Sequence, residues 1–372
     1  GIKYLKDRFY NSDKLRAGEL AFAITDLTRA GDIVGSPLLT PLKYEGAVAS
    51  MDLIRVHPNS DLLDNTYLYY LMMTKRIRIY FVNHSAGSTV LHLQISSIPK
   101  LKLSLPSLPQ QIKIANILTT CDEVIEKTEA AIAKYQALKQ GMMHDLFTRG
   151  IDLKTGKLRL SYQDAPELYK ESELGMIPKD WEVEKSIKLM TLYNGRAYSI
   201  TEWEDKGTPV IRLQNLTGSG SDYYYSNLQL PDNQYCECGD LLYMWSATFG
   251  PHIWTGPKAI YHYHIWKIAC IESLYSKDFA YIELARFTEK VMQTSQGSTM
   301  AHITKGGMEE RLISVPPLKE QNLISERLNS LKKKIQTEQS TLAKYQQLKA
   351  GLMQDLLTGK VEVSVAEEIV KN

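Results

Sequence analysis

The feature that most constrains the fold is an internal duplication with a fixed offset of 210 residues. Residues 133–150 recur as 343–360, and 11 of the 18 positions are identical. The same offset carries Gln111 onto Gln321. Further upstream the match weakens and the offset drifts. The chain therefore contains two copies of one unit, in which the C-terminal part is conserved and the preceding domain has diverged.

Each copy contains a long predicted helix with one apolar stripe. No proline interrupts residues 110–147 or 320–357, and 38 residues form a helix about 57 Å long. Such a stripe must be buried against a partner, and the sequence favours its own copy, paired antiparallel. The alternative is that each helix packs only on its own domain. The predicted pairing positions, spaced by four and three, are Ile114, Leu118, Ile125, Ile132, Tyr135, Ile324, Leu328, Leu331, Ile335, Leu342 and Tyr345.

The repeat predicts an α+β protein in which two mixed α/β domains alternate with the two helices, in a pseudo-two-fold arrangement. From Ile177 to Gly239 the second domain has 62 residues, whereas the first domain has only 17 before the matching Gly18. The first domain is therefore expected to be N-terminally incomplete. The predicted boundaries are 1–107 for the first domain, 108–149 for its helix, 150–176 for a linker, 177–314 for the second domain, 315–358 for its helix and 359–372 for a tail.

Local patterns indicate the elements inside the domains. Residues 209–213, 240–245 and 259–266 are rich in β-branched and aromatic side chains and predict strands. Residues 278–293 predict a helix, with 66–82 as the counterpart in the first domain. Tyrosines cluster at 223–225 and around 261–263, where edge strands explain them slightly better than a recognition surface.

An ordered set of motifs gives the chain a family resemblance. The motifs are Ile-Pro-Lys-Asp-Trp at 177–181, Gly-Asp-Leu-Leu at 239–242, Gly-Ser-Thr at 297–299 and Pro-Pro-Leu-Lys-Glu-Gln at 316–321. A chain with two such units in tandem resembles the specificity subunit of type I restriction–modification systems. The resemblance implies two target-recognition domains, each reading one half of a split DNA site, with the paired helices setting the gap.

The resemblance also implies partners and a setting. Double-stranded DNA, methyltransferase subunits and restriction subunits are the expected partners, and S-adenosylmethionine, ATP and Mg are expected only in those partner subunits. The four cysteines are too few for a disulfide scaffold and fit a reduced, cytoplasmic setting, and no apolar run approaches the length of a membrane span. The net charge of +2 neither requires nor excludes a nucleic-acid partner. The alternatives are a coiled-coil scaffold that does not bind DNA and a recognition piece of a fused restriction–methyltransferase enzyme.

Motifs for catalysis are missing from the sequence. Pro316–Pro317 is followed by Leu318–Lys319, which does not match an adenine methyltransferase signature. The stretch from Gly150 to Lys157 has the wrong spacing for a nucleotide-binding loop. We therefore predict a non-catalytic chain without catalytic residues.

The second domain contains residue types that can bind zinc. Cys236, Cys238, His252, His262 and His264 are metal-ligating residue types that lie near one another in the sequence. Structural zinc sites normally show tighter paired spacing than this, so no metal site is predicted.

DNA recognition requires cations for phosphates and forked or amide side chains for base edges. Residues of these types lie at predicted strand ends and in the Gly-Ser-Thr loops that the two copies share. Lys75, Arg76 and Arg78 form a basic cluster on a predicted helix that could contact phosphate. The DNA-binding candidates are Ser88, Thr89, His92, Asn194, Arg196, Tyr198, Arg212, Gln214, Asn215, Ser246, Thr248, His252, Lys258, Ser298, Thr299 and His302.

Overall fold

The structure is a computed structural model that describes residues 10, 14–28, 30–246, 248–294 and 303–365. The chain divides into two compact units. The first unit comprises residues 1–133 and 336–372, and the second comprises residues 134–335. Each unit therefore contains one mixed domain and one half of each long helix.

The elements of the first unit lead into the first long helix. They are β1 (Leu20–Ala23), β2 (Thr25–Asp26), β3 (Pro37–Leu39), β4 (Leu53–Val56), α1 (Asn65–Met72), α2 (Lys75–Asn83), β5 (Ser85–Ala86), β6 (Leu91–Leu93) and α3 (Leu108–Thr148). Two three-stranded antiparallel sheets form, in the orders β3-β1-β4 and β2-β6-β5.

The second unit has more strands. Its elements are β7 (Tyr169–Ser172), β8 (Gly175–Pro178), β9 (Glu182–Lys185), β10 (Met190–Asn194), β11 (Thr208–Ile211), α4 (Leu213–Thr217), β12 (Tyr224–Ser226), β13 (Tyr235–Cys236), β14 (Leu241–Ser246), β15 (Thr248–Ile253), β16 (Ala259–Tyr261), β17 (Ile265–Cys270), α5 (Lys277–Thr294), α6 (Lys305–Glu309), β18 (Leu312–Val315) and α7 (Leu318–Leu357). Two four-stranded sheets, β10-β17-β14-β15 and β12-β11-β16-β13, form its centre, and β18 pairs with β9.

The long helices α3 and α7 pair antiparallel, and the α+β fold class is confirmed. In the first unit, Leu118 near the start of α3 shares a core with Leu356 near the end of α7. In the second unit, Leu146 near the end of α3 shares a core with Ile324 near the start of α7. Helix α7 begins three residues later than the predicted 315, because Leu312–Val315 form strand β18 and two prolines follow.

The predicted pairing positions fall into two groups. Six of them are buried: Ile114, Leu118, Ile132, Ile324, Leu328 and Ile335. The other five, Ile125, Tyr135, Leu331, Leu342 and Tyr345, are half-buried. Further along the same stripe, Leu138 is 49% exposed and its counterpart Leu348 is 56% exposed. The apolar stripe therefore reaches solvent at one matching position in each helix.

Two predicted elements are each divided by a turn. The predicted helix at 66–82 is two helices, α1 and α2, because Thr74 adopts an extended backbone and its hydroxyl donates to the Leu71 carbonyl at 2.7 Å. The predicted strand at 259–266 is two strands, β16 and β17. His262 N–H bonds to the Ile211 carbonyl and Ile265 N–H turns back to the His262 carbonyl, both at 2.9 Å.

The predicted linker at 150–176 is wrong in part, because these residues are folded onto the second unit. Gly150 has a positive φ of 64°, and a Cβ there would lie 2.1 Å from the Glu320 carboxylate. The Ile151 N–H donates to that carboxylate at 2.6 Å, and Arg159 donates to it at 2.5 and 2.9 Å. Strands β7 and β8 complete the segment, so it forms part of the second core rather than a free connection.

The repeat extends to individual hydrogen bonds at the start of each long helix. The Gln111 side chain accepts from Asp64 N–H at 3.0 Å and donates to the carbonyls of Leu62 and Pro106 at 3.0 and 2.9 Å. Gln321 makes the same three bonds in the second unit, to Ser276, Leu274 and Pro316. Both glutamines are buried, and they tie α3 to the loop before α1 and α7 to the loop before α5.

Candidate nucleic-acid interface

Three of the predicted DNA-contacting residues converge in the second unit. The backbone of Arg196 follows β10 and bonds to the Tyr261 carbonyl, which brings this loop against the end of β16. The Arg196 guanidinium lies 5.1 Å from the centre of the Tyr198 ring. Arg212 lies at the end of β11, and its guanidinium lies 5.1 Å from the Tyr224 ring. Stacking on an aromatic face holds each guanidinium flat and restricts its motion.

Aromatic rings that sequence reasoning did not select connect these arginines. Trp203 lies 4.5 Å from Tyr224 and 5.5 Å from Tyr198, measured between ring centres. The series continues through the turn between β16 and β17, where His262 lies 6.5 Å from Tyr198. It reaches Trp245 through His264. We call this set the aromatic ridge: Tyr198, Trp203, Tyr224, Trp245, His262, Tyr263 and His264. The tyrosine clusters in the sequence were the available signal for it.

Two titratable side chains, Glu202 and His262, affect the charge of the aromatic ridge. Arg196 donates to Glu202, and this hydrogen bond is the main cause that lowers the pKa of Glu202 to about 2. Burial, with the neighbouring His264 and Arg212, lowers the pKa of His262 to about 4. His262 is therefore neutral at pH 7, where it can both donate and accept a hydrogen bond. Because ionised Glu202 offsets the charge of Arg196, Arg212 supplies the positive charge of the aromatic ridge.

Two polar atoms beneath the ridge have no hydrogen-bond partner within the part of the chain that the structure describes. They are Arg196 Nη1 and the Tyr198 hydroxyl, and both are buried. Unsatisfied buried polar atoms are uncommon in native folds and each costs about 1–3 kcal/mol.

The other DNA-binding candidates in the second unit differ in their burial and in their local hydrogen bonds. Asn215 is used for local structure, since its side chain accepts from Arg212 N–H at 2.9 Å and donates to the Asp222 carbonyl at 3.0 Å. Gln214 is half-buried beside it in α4. Ser246 is buried and Thr248 is exposed, at the facing ends of β14 and β15 next to Trp245.

Three further candidates lie on other elements. His252 lies on β15, and burial lowers its pKa, with Lys332 as a second cause. Lys258 precedes β16 and stands 4.7 Å from the Tyr235 ring. Asn194 ends β10, and its carbonyl accepts from the Gln234 amide at 2.9 Å. None of these three contributes a ring or a guanidinium to the aromatic ridge.

In the first unit, the candidates lie on a hairpin. Ser88 and Thr89 are exposed in the loop between β5 and β6, and His92 is exposed on β6. Gly87 begins this loop with φ of 137°, and a Cβ there would meet the Val90 carbonyl oxygen at 1.8 Å. Only glycine fits that position. The matching Ser298, Thr299 and His302 lie outside the described residues.

Among the basic residues of α2, Arg78 serves the fold. Its guanidinium donates to the carbonyls of Val34 and Asp32 at 2.6 and 2.9 Å, and burial lowers its pKa. Arg76 donates to the Lys102 carbonyl at 3.2 Å. The Arg78 side chain therefore holds the loop after β2 in place. Within the described residues, Lys75 makes no comparable bond to a backbone carbonyl.

Two features are absent from the residues that the structure describes. No group of three or more histidine, cysteine or acidic side chains is placed to hold a metal ion there. No helix within those residues has the length and apolar character needed to cross a membrane.

Comparison with known proteins decides the family. The family model for the type I restriction modification DNA specificity domain matches residues 39–134 and 178–347. The chain belongs to this family. Each matched range covers most of one mixed domain and much of the long helix after it. This specificity-domain chain is a recognition subunit and not a catalytic one.

Relatives of the specificity-domain chain match most of its length at low identity. The MjaVIII type I restriction enzyme specificity subunit of Methanocaldococcus jannaschii is 24% identical over 332 residues, which cover 85% of this chain and 75% of the relative. The MjaIX specificity subunit of the same organism is 25% identical, covering 80% and 69%. A crystal structure of the S subunit from M. genitalium superposes with a TM-score of 0.56 at 14% identity, covering 92% and 83%, and supports the fold.

Proposed function

We propose that this chain recognises DNA sequence for a type I restriction–modification complex, with each unit reading one half of a bipartite site. The observation that carries the proposal is the family match, which occurs once in each copy of the repeat. Because the two domains have diverged while the helices have not, the two half-sites differ in sequence. The chemistry of methylation and cleavage belongs to other subunits, which hold S-adenosylmethionine, ATP and Mg.

In the second unit, the aromatic ridge and its arginines form the DNA-reading surface. Arg212 has a guanidinium oriented by Tyr224, and an oriented guanidinium pairs well with the two acceptors of guanine or with a phosphate. Neutral His262 supplies a donor and an acceptor beside it. In the first unit, the exposed Ser88–Thr89 loop contacts the phosphate backbone through hydroxyl and backbone N–H groups.

The long helices hold the two readers apart and bind partner subunits in the cytoplasm. Leu138 and Leu348 support docking, because both are exposed and they occupy equivalent positions of the repeat. An exposed leucine at the same place in two conserved helices fits two equivalent contacts, one for each of two methyltransferase subunits. Restriction subunits join through that complex.

The experiment is a titration of labelled mixed-sequence duplex DNA with the purified chain, followed by fluorescence anisotropy at several salt concentrations. DNA recognition predicts an affinity that falls steeply with salt, because phosphate contacts release counterions. Arg212→Ala should weaken binding about tenfold, the order of magnitude for loss of one oriented guanidinium contact. Lys170→Ala is the control, since Lys170 lies on β7 in an exposed ion pair with Glu182.

Two outcomes would contradict the proposal. Affinity that does not change with salt would indicate a scaffold that does not bind DNA. Equal affinities for the Arg212→Ala and Lys170→Ala proteins would remove the aromatic ridge from the recognition surface, even if the chain binds DNA elsewhere.

A further inference from the structure

The most exposed large apolar side chain described in the second unit is Ile200. Its exposed fraction is 88%, and the next highest in that unit is 57%, for Leu160. A single exposed apolar residue is ordinary on a protein surface, so exposure alone assigns it no role. Ile200 differs from the other exposed residues in the rigidity of its turn and in the groups that lie beside it.

The turn that carries Ile200 is one turn of 3₁₀ helix, Ile200–Glu202, and side chains fix it at its base. The N–H and the hydroxyl of Ser199 both donate to Glu202, at 2.8 and 3.2 Å. The Glu202 N–H donates to the Ser199 carbonyl at 3.1 Å, and Arg196 donates to the second oxygen of the Glu202 carboxylate at 2.5 Å. A β-branched side chain is also stiff at χ1. Ile200 is therefore a rigid apolar projection on a fixed base.

The same turn lies beside the positively charged part of the aromatic ridge. Tyr198 and Trp203 flank the turn in the sequence, and their ring centres lie 5.5 Å apart. The Trp203 ring lies 4.5 Å from Tyr224, on which the guanidinium of Arg212 stacks. Ile200 therefore extends the surface that carries the aromatic faces and the guanidinium suited to bind bases and phosphates.

A rigid apolar side chain at such a position has a known use in DNA binding. Proteins that bend DNA insert leucine, isoleucine, methionine or phenylalanine between base pairs, and unstacking a step costs a few kcal/mol. The cost is lowest at pyrimidine–purine steps, which are the most flexible. A guanidinium beside the inserted side chain can hold a phosphate of the kinked strand.

We propose that Ile200 is a wedge that enters the base stack of the half-site read by the second unit and selects a pyrimidine–purine step there. The proposal rests on DNA recognition by this unit and deepens it, because a deformable step is selected without hydrogen bonds to its bases. Arg212, oriented by Tyr224, binds a phosphate next to the kink. The aromatic ridge supports the unstacked bases.

The test begins with selection of duplexes from a random-sequence library by the purified chain alone, so that no other subunit unstacks a base. In the selected duplex, 2-aminopurine then replaces each adenine in turn and pyrrolo-cytosine replaces each cytosine. Every base pair is thereby probed, and both analogues emit more strongly when they are unstacked. The wild-type chain should raise the emission at one step of one half-site, and that step should be pyrimidine–purine.

Variants assign the unstacking to one side chain. Ile200→Ala should abolish the rise in emission and weaken binding of the selected duplex about tenfold, which corresponds to about 1.4 kcal/mol. It should leave the salt dependence unchanged, because Ile200 neutralises no phosphate, whereas Arg212→Ala should reduce the salt dependence. Ile200→Leu keeps an apolar wedge of the same size and should retain the rise in emission.

Ile187→Ala is the matched control. Ile187 is an isoleucine that is 50% exposed in another 3₁₀ turn of the same unit, Ser186–Lys188, and its replacement should change neither affinity nor emission.

Four results would count against the wedge. A selected motif without any rise in emission would mean that Ile200 contacts DNA differently, for example at a thymine methyl group, and would leave recognition by the second unit intact. Equal emission with Ile200→Ala and Ile187→Ala would assign the unstacking to another residue. An unstacked step other than pyrimidine–purine would overturn the selection. Failure to select any motif would contradict the proposed function, and the wedge with it.

Discussion

Replacing Glu320 by glutamine is expected to destabilise the second unit. Four N–H groups converge on the fully buried carboxylate of Glu320: Ile151 N–H at 2.6 Å, two from Arg159 at 2.5 and 2.9 Å, and the Trp181 indole at 3.1 Å. A glutamine offers one acceptor oxygen and turns an NH₂ group toward donors. The buried guanidinium then loses its main counterion.

The magnitude follows from the burial of the pair. Removing one member of a buried ion pair costs about 3–5 kcal/mol. Arg159 keeps Asp180 at 2.6 Å, and Asp180 is 47% exposed, so the lower end applies. With a urea dependence of about 2 kcal/mol/M, a loss of about 3 kcal/mol lowers the midpoint by about 1.5 M.

The assay is urea unfolding followed by tryptophan fluorescence. All five tryptophans lie between Trp181 and Trp266, inside the second unit, so their emission reports that unit alone. Gln110→Glu is the matched control at the equivalent position of the first unit. It loses a 3.2 Å bond to the Val363 carbonyl and should leave the tryptophan transition unchanged.

A second substitution tests the reasoning behind the magnitude. Arg159→Met combined with Glu320→Gln removes the unpaired guanidinium and should recover about 1–2 kcal/mol relative to Glu320→Gln alone. A Glu320→Gln midpoint within about 0.3 M of wild type would refute the importance of this network, since that shift is under 1 kcal/mol.

Three further predictions concern the first unit and the helices. In the first unit, burial opposes ionisation of Asp26, but backbone hydrogen bonds lower its pKa to about 2. Ionised Asp26 therefore stabilises the fold by about 2 kcal/mol above pH 4, and this contribution is lost on acidification toward pH 2. In urea unfolding followed by circular dichroism, Asp26→Asn should make the free energy of unfolding less dependent on pH between 4 and 2. Gln321→Leu removes three hydrogen bonds and should lower the free energy of unfolding of the second unit by about 2 kcal/mol, whereas Gln111→Leu should leave the tryptophan transition in place. Insertion of seven residues after both Thr128 and Glu338 lengthens each helix by about 10 Å and should widen the gap between half-sites by about three base pairs; an unchanged gap in the methylated motif would exclude the helices as the spacer.

The helices could be predicted from sequence because their signal is local and occurs twice. The pairing positions recur every three or four residues, and the second copy repeats the register of the first. The exposure of Leu138 and Leu348 could not be predicted in this way, because it depends on where the packed surface ends. Spacing alone assigns these residues to the same stripe as buried Leu146.

The folded linker and the aromatic ridge were missed for a different reason. Ile151 and Arg159 are positioned by Glu320, more than 160 residues away in sequence, and composition alone suggests a polar connection. The ridge likewise joins Trp203 to His262 and Trp245 across three chain segments. Its tyrosines were visible as clusters, but the sequence did not indicate that these clusters would meet each other and Arg212.

Sequencing of DNA methylation tests the central claim most directly. DNA would be taken from cells that express this chain together with its neighbouring methyltransferase. We expect modified bases within one split motif, made of two different short half-sites separated by a fixed gap. Arg212→Ala should reduce or alter methylation through only one of the two half-sites. Absence of any motif, or a single continuous motif, would contradict the account.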